Sequence, residues 1–273
     1  MRETTTGLYP RGILIVGAKG FLGRHFFAYL RSHPHVVATH HQSEPGMVHL
    51  NLFSPKVPEG QFEVAFICAG LGTPYRCKND PEQCYQADVI GISEICRILH
   101  DRGTRPVIFS SSYAQDPKDT YGWQKWELEQ KVKDFSTVIR IGKLLGTSMG
   151  DKTLFDEIAH KLFQQQAVTA AVDQYLNLVD VQEVIKWALD VAAEPCQRFN
   201  FFSASQVSRY DAACFLAEAM GYTKELIIPV TLAQLGLTLQ SHALDVSDRP
   251  FSSWQQGALA MAQAYRLCEH ALG

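Results

Sequence analysis

Tyr121 and Lys125 stand four residues apart in the run Thr120-Tyr-Gly-Trp-Gln-Lys125, a spacing that puts both side chains on one face of a helix. A tyrosine hydroxyl ordinarily ionises near pH 10, too high for it to act as a base at neutral pH. An ammonium group one helical turn away favours the phenolate and lowers that pKa. Just upstream, the apolar run Val107-Ile-Phe109 ends in Ser110-Ser-Ser112, and a serine hydroxyl there can donate to a carbonyl oxygen. Together these groups polarise a carbonyl and pass it a proton while a hydride reaches its carbon, or run the reverse. The hydride must come from a cofactor. Tyr-x3-Lys alone is a common solvated pair on helix surfaces, so its weight here comes from the elements around it.

Those elements begin with Gly12 to Val16, a short run rich in β-branched residues that predicts a buried strand. Gly17-Ala-Lys19-Gly20-Phe21-Leu22-Gly23 follows at once, and the next residues, to Arg31, read as a helix. Strand, glycine turn and helix form the context in which such a turn binds a dinucleotide. The glycines let the chain turn sharply and let a pyrophosphate approach free N–H groups at the helix start. The spacing is Gly-x2-Gly-x2-Gly rather than Gly-x-Gly-x2-Gly. Expected cofactor contacts here are Gly17, Lys19, Gly20, Phe21, Leu22 and Gly23. A second strand is expected over His35 to Thr39, and no acidic residue follows until Glu44. An acid directly after this strand would bind a ribose hydroxyl and repel a 2′-phosphate. Its absence, with Lys19 and His40 nearby, points to NADP(H) in preference to NAD(H).

A short third strand or strand end is expected over Val48 to Phe53 and a fourth strand over Phe62 to Cys68, ending in the small residues Ala69 and Gly70. Pro81 to Leu99 reads as one long helix, Val107 to Phe109 as a fifth strand, and Ser136 to Ile141 as a sixth. Strands alternating with helical patterns predict an α/β fold of the Rossmann type, a doubly wound parallel sheet. Past Gly146 the rhythm loosens into shorter elements. The expected division is a dinucleotide-binding domain over 10–146 and a smaller α/β substrate-binding part over 147–273.

The 273 residues are 46% hydrophobic and 19% charged, with a formal net charge of −3. That balance gives no reason to expect nucleic acid or an anionic membrane as partner. No apolar run approaches the roughly 18 residues that span a bilayer, and Met1 to Pro10 lacks the apolar core of a signal peptide; a cytoplasmic protein is the expectation. Seven cysteines without a Cys-x2-Cys pair argue for reduced thiols and against a zinc site. His33, His35, His40 and His41 read as a loop leading into a strand, so no metal site is expected.

The glycine turn, the serine-ended strand, Tyr121 and Lys125 together resemble the extended short-chain dehydrogenase/reductase family. The resemblance spans nearly the whole chain. Asn51-Leu52 sits where that family places an Asp-x pair near the adenine, and Cys68-Ala69-Gly70 where it places Asn-Ala-Ala or similar. Val172-Asp-Gln174 and Arg249-Pro-x2-Ser253 resemble distal elements of the dTDP-4-dehydrorhamnose reductase-like group of nucleotide-sugar reductases. The resemblance implies a C-terminal part that binds a nucleotide sugar, a return of residues near 175–195 to the first domain, and dimers formed through sheet-flanking helices. It adds Asn51, Leu52, Cys68, Ala69 and Gly70 to the expected cofactor contacts, together with Tyr121 and Lys125. Gln174 and Arg249 become candidate substrate contacts. A guanidinium binds phosphate bidentately, although Asp245 or Asp248 offers Arg249 a simple ion pair instead.

Two departures stand out. Asp88 occupies a position where the family usually has Asn, and the loop from the serines to Tyr121 is short. Counting along the strand selects Ser112 as the polarising hydroxyl, whereas aligning the family's Ser-Thr-Asp-Tyr segment selects Ser111. The function expected is NAD(P)H-dependent reduction of a keto-sugar nucleotide or similar carbonyl. The alternatives are an NAD-dependent nucleotide-sugar epimerase and a non-catalytic nucleotide-binding regulatory subunit.

Overall fold

Seven strands form a parallel sheet in the order β11-β6-β5-β4-β1-β2-β3. In the computed structural model, which describes residues 9, 11–203, 205–237 and 247–272, these strands are β1 (Ile13–Val16), β2 (Val36–His40), β3 (Val48–His49), β4 (Val64–Ile67), β5 (Arg105–Ser111), β6 (Thr137–Ile141) and β11 (Arg198–Phe201). Strand β1 pairs with β2 on one side and β4 on the other, with Ile13 opposite both Val36 and Val64. The chain therefore winds one way from β1 to β3 and the other way from β4 onward, which leaves a crevice at the carboxyl ends of β1 and β4.

Buried parallel strands need apolar side chains on both faces, and β1 is buried at all four positions. One face carries Leu14, Val16, Ala65, Ile67 and Ile108 against Ile92, Ile95 and Leu99 of α4 (Ile92–Asp101) and Leu128 and Val132 of α5 (Thr120–Val132). On the other face Phe26 of α1 (Phe21–Tyr29) stacks on Phe66 at 4.6 Å and tilts against Phe109 at 5.6 Å.

Two compact units divide the chain: Met1–Arg140 with Ile185–Asn200, and Ile141–Val184 with Phe201–Gly273. The first holds the sheet and the C-terminal part of α7 (Val181–Val191), where the Tyr9 hydroxyl donates to the Leu189 carbonyl at 2.5 Å. The second is built on α6 (Leu154–Phe163), α8 (Arg209–Met220) and α9 (Trp254–Leu272), whose apolar faces enclose Phe155, Leu162, Leu216, Trp254, Met261 and Tyr265. Its short strands pair as β7 (Lys143–Leu145) with β10 (Leu178–Asp180), β8 (Val168–Ala171) with β13 (Ile227–Val230), and β9 (Tyr175–Leu176) with β12 (Val207–Ser208).

Four sequence expectations change, the first being the fourth strand, which shortens from Phe62–Cys68 to Val64–Ile67. The third strand shrinks from Val48–Phe53 to two exposed residues, because as an edge strand it has a single partner, β2. The fifth strand extends at both ends, since pairing with β4 draws in Arg105 and Pro106 at its start. The long helix over Pro81–Leu99 is interrupted: α3 (Pro81–Tyr85) passes through a wider, π-type turn at Gln86–Gly91 before α4. A short helix, α2 (Pro74–Asn79), precedes it, capped by the Thr73 hydroxyl accepting from the Arg76 N–H. No helix among the described residues is long and apolar enough to cross a membrane.

Candidate active site

The glycine turn joins β1 to α1. Gly17 adopts φ +85°, and a Cβ there would lie 2.7–2.8 Å from the backbone and side chain of Ala69. A Cβ on Gly23 would overlap the Gly17 carbonyl oxygen and come within 2.9 Å of Ala18. Glycine is thus required twice, once for backbone conformation and close approach to the end of β4, once for packing α1 onto its own turn. Gly20 precedes α1 as its cap, yet no side chain accepts from the first N–H groups and no acidic residue lies in the first turn. Leu22 is buried at this start and Phe21 is half-buried. These features fit a pyrophosphate group, which would take the place of an acidic cap. Substituting Gly17→Ala forces a Cβ into both a strained φ and the Ala69 backbone. The expected cost is about 1–3 kcal/mol of overpacking plus backbone strain, read as a lowered urea midpoint at unchanged m-value.

Around this turn, the Gly17 and Ala18 N–H groups donate to Thr39 at 3.3 and 2.9 Å, fixing the turn to the end of β2. Lys19 does not stand alone: its ammonium pairs with Glu44 at 3.1 Å. The His40 ring accepts from the Gln42 N–H at 3.3 Å. Asn51 accepts from the Phe53 N–H at 2.9 Å, and the Leu52 carbonyl lies against Gly91, where any Cβ would collide with it. Cys68 continues β4 by donating its N–H to Val16 at 2.9 Å, and burial pushes its thiol pKa up. Gly70 passes within ordinary contact of Asp88.

The serine-ended strand reaches further than its apolar run. Ser110 lies inside β5, buried, and donates to Glu129 Oε1 at 2.6 Å. Glu129 in turn takes Arg140 in two charge-assisted bonds, Nε at 2.9 Å and Nη2 at 2.7 Å. The same Arg140 Nη2 donates to the Ala114 carbonyl at 3.1 Å. Strand β6, helix α5 and the turn after β5 are thereby tied at one buried point. Ser111 closes the strand, and its Oγ accepts from the Tyr113 N–H at 3.3 Å, starting a single 3-10 turn over Ser112–Ala114.

Helix α5 begins against that turn. Asp119 caps it by accepting from the Gly122 N–H at 2.7 Å. A Cβ on Gly122 would sit 2.7 Å from the Tyr113 carbonyl, so glycine lets the first helical turn press onto the serine turn. Tyr121 therefore lies beside Tyr113, ring centroids 5.7 Å apart and edge-on. Burial, with Asp119 and Tyr121 beside it, pushes the Tyr113 pKa up. Lys125 Nζ stands 5.7 Å from the Tyr121 ring centroid and 3.4 Å from Asp88 Oδ2. Burial acts most strongly against the Lys125 ammonium, but Asp88 and Tyr121, with Cys77, outweigh it and raise its pKa above the ordinary lysine value. Gln124 completes the wall, donating to the Pro81 carbonyl at 2.7 Å and accepting from the Cys77 thiol at 3.3 Å.

The first unit thus brings Ser111, Ser112, Tyr121 and Lys125 to one end of β5 and α5. The glycine turn meets the end of β4 at Ala69. Gln174 and Arg249 belong to the second unit. The Gln174 carbonyl accepts from the Arg209 N–H at 2.9 Å. The Arg249 N–H donates to Ser247 Oγ at 3.4 Å and its carbonyl accepts from the same hydroxyl at 2.7 Å. Asp245, the alternative partner considered for Arg249, lies outside the described residues. Glu129, Arg140, Gln124 and Cys77 escaped the sequence reading. One signal was present: Arg140 is a charged residue inside Val-Ile-Arg-Ile, a strand otherwise apolar.

The family model described as the RmlD substrate binding domain matches residues 11–243. No curated protein matches the sequence. Among solved structures, a dTDP-4-dehydrorhamnose reductase from Bacillus anthracis in complex with NADP superposes with a TM-score of 0.77 at 14% identity, over 91% of this chain and 97% of that one. A dTDP-4-dehydrorhamnose reductase from Yersinia enterocolitica gives 0.76 at 20% identity, over 93% and 99%. A UDP-glucose 4-epimerase from Thermotoga maritima, with UDP-glucose, gives 0.75 at 15% identity, over 94% and 99%. At these identities the superpositions speak for the shared fold.

Proposed function

The chain belongs to the family of the RmlD substrate binding domain, and from that premise we propose that it is an NAD(P)H-dependent reductase of a keto-sugar nucleotide or a similar carbonyl. The observation that carries the reading is the approach of α5 to the serine turn, through Gly122 against the Tyr113 carbonyl, which sets the Tyr121 ring edge-on against Tyr113, two residues past Ser111, with Lys125 one helical turn on.

In this reading the dinucleotide lies on the turn of Gly17, Gly20 and Gly23 and supplies the hydride when bound. Tyr121 gives its hydroxyl proton to the substrate carbonyl oxygen as that oxygen gains charge. Lys125 holds a positive charge one helical turn away, which favours the phenolate left behind. Ser111 polarises the carbonyl. Its Oγ already accepts from the Tyr113 N–H, so its own O–H is the group left to donate, which supports Ser111 over Ser112. Ser110 is committed to Glu129. The substrate contacts assigned to Gln174 and Arg249 are an amide to a sugar hydroxyl and a guanidinium to the diphosphate.

NADP(H) is the preferred cofactor, since Thr39 to Ser43 offers no carboxylate to a ribose and Lys19 stands at the glycine turn. Glu44 shares that charge, so the preference is modest and NADH is a usable substitute. The test is cofactor oxidation at 340 nm with a dTDP- or UDP-linked 4-keto sugar. Net consumption faster with NADPH than with NADH is expected. Tightly retained NAD with no net consumption would overturn the reading in favour of an epimerase. NADPH binding without turnover on any keto sugar would favour a regulatory subunit.

A further inference from the structure

Arg209 opens α8, and its guanidinium has no hydrogen-bond or ion-pair partner among the described residues. It is nonetheless half-buried. Burial pushes its pKa down, and Glu157 of α6, which opposes that shift, forms no ion pair with it. Two other acids lie close by in the chain, and both are turned elsewhere. Asp211 accepts from the Ser208 hydroxyl at 2.6 Å, and Asp173 accepts from the Leu232 N–H at 2.8 Å. Ser208 in turn accepts from the Asp211 N–H at 2.9 Å, so the start of α8 is capped from within. A cation drawn partly out of water with no counter-ion is a standing cost to the fold. An anion arriving from outside would remove it.

The register of the short strands places this cation. Strands β9 and β12 pair antiparallel, with Tyr175 opposite Ser208 and Leu176 opposite Val207. The Arg209 N–H continues that ladder by donating to the Gln174 carbonyl at 2.9 Å. Arg209 therefore stands opposite Gln174, and opposite positions of such a pair carry their side chains on one face, with Cβ atoms about 5 Å apart. The neighbouring Tyr175 is 63% exposed, so this end of the ladder is open to a ligand.

We propose that Arg209 makes this protein select a phosphate-bearing substrate: its guanidinium takes a phosphate of the nucleotide, while Gln174 opposite it takes a sugar hydroxyl. The inference rests on the reductase reading above and narrows it, from carbonyl compounds in general to those linked to a nucleotide. A planar guanidinium presents two parallel N–H donors to two phosphate oxygens, which no uncharged sugar can match. A diphosphate has a phosphate group for each of the two arginines, Arg209 and Arg249.

The experiment is calorimetric titration of wild type, Arg209→Ala and Arg209→Gln with UDP, dTDP, uridine and thymidine, with NADPH binding followed by fluorescence. For whichever diphosphate wild type binds, both variants are expected to lose about ten- to a hundredfold in affinity, the range of one charge-assisted hydrogen bond. Affinity for the matching nucleoside and for NADPH should change less than about twofold. The KM of the keto-sugar nucleotide should rise with the diphosphate Kd, at nearly constant kcat. Without ligand, the urea midpoint of the variants should be no lower than that of wild type, since the guanidinium they remove has no partner. Unchanged diphosphate affinity in either variant would overturn the proposal. So would a lowered midpoint with equal losses for diphosphate and nucleoside, the mark of an arginine that serves only the fold. Arg209→Gln keeps most of the aliphatic stem and answers the question if Arg209→Ala does not fold. A wild-type protein that binds NADPH but neither diphosphate would instead overturn the nucleotide-sugar reading, and the proposal with it.

Discussion

Replacing Tyr121 with Phe is expected to lower kcat by about 10²–10⁴-fold, the range that a positioned proton donor contributes, while NADPH affinity stays within about threefold. The substitution removes one oxygen and leaves the ring. Its edge-on contact with Tyr113 at 5.7 Å and its place in the first turn of α5 are both properties of the ring and backbone. Folding should therefore be nearly unaffected. Tyr113 is poorly suited to take over, because burial holds its hydroxyl protonated to higher pH than usual. Stopped-flow measurement of hydride transfer, with NADPH binding measured separately by fluorescence, separates the two effects. Undiminished hydride transfer in Tyr121→Phe would remove Tyr121 from the reaction.

The second large effect concerns stability. Arg140→Leu or Glu129→Leu, each made singly, is expected to cost about 3–5 kcal/mol, because either leaves a buried partner charge without its counter-ion. The two side chains are nearly sealed from solvent, at 5% and 2% exposure, and meet at 2.7 Å. Arg198 cannot substitute: it is half-exposed and stands 3.8 Å from Glu129. The double variant should recover much of the loss, since a pair of apolar side chains of similar volume is often tolerated where an ion pair stood. Urea unfolding of the four proteins gives the comparison. Single variants within about 1 kcal/mol of wild type would show that the pair contributes little. Because Arg140 also holds the Ala114 carbonyl, the single variants should lose activity beyond their loss of fold, through a loosened serine turn.

The parts of the molecule legible in the sequence were those written in local chemistry. Tyr121 and Lys125 share one helix, α5, as their spacing predicts. The β1–glycine turn–α1 unit follows from an apolar run meeting glycines that the backbone needs. What escaped was set by distant partners. Strands β7, β9, β10 and β12 are two or three residues long, too short to carry a period, and exist because a neighbour pairs with them. The π-type turn is invisible in Gln86–Gly91, which reads as ordinary helix, because it answers to Leu52 and to the Leu71 N–H, which donates to Asp88. Lys19 looked like a free positive charge because its partner, Glu44, is far along the chain and returns only in three dimensions. Arg140 announced itself by type, a charge in an apolar strand, but its partner Glu129 is one of two glutamates set among the lysines and glutamines of an amphipathic helix.

The order of the sheet also bears on how the protein is made. Strand β6 lies between β5 and β11, yet β11 is translated only after the whole stretch Ile141–Val184 of the second unit. While the ribosome is still adding that stretch, β6 has one side unpaired, an open edge of the kind that recruits other chains. The nascent chain must therefore wait for Arg198–Phe201 before its sheet is complete. A fragment ending at Arg140 would keep that exposed edge permanently. The cleanest places to divide or tag this molecule lie at its surface turns, outside the 141–200 interval that stitches its two units together.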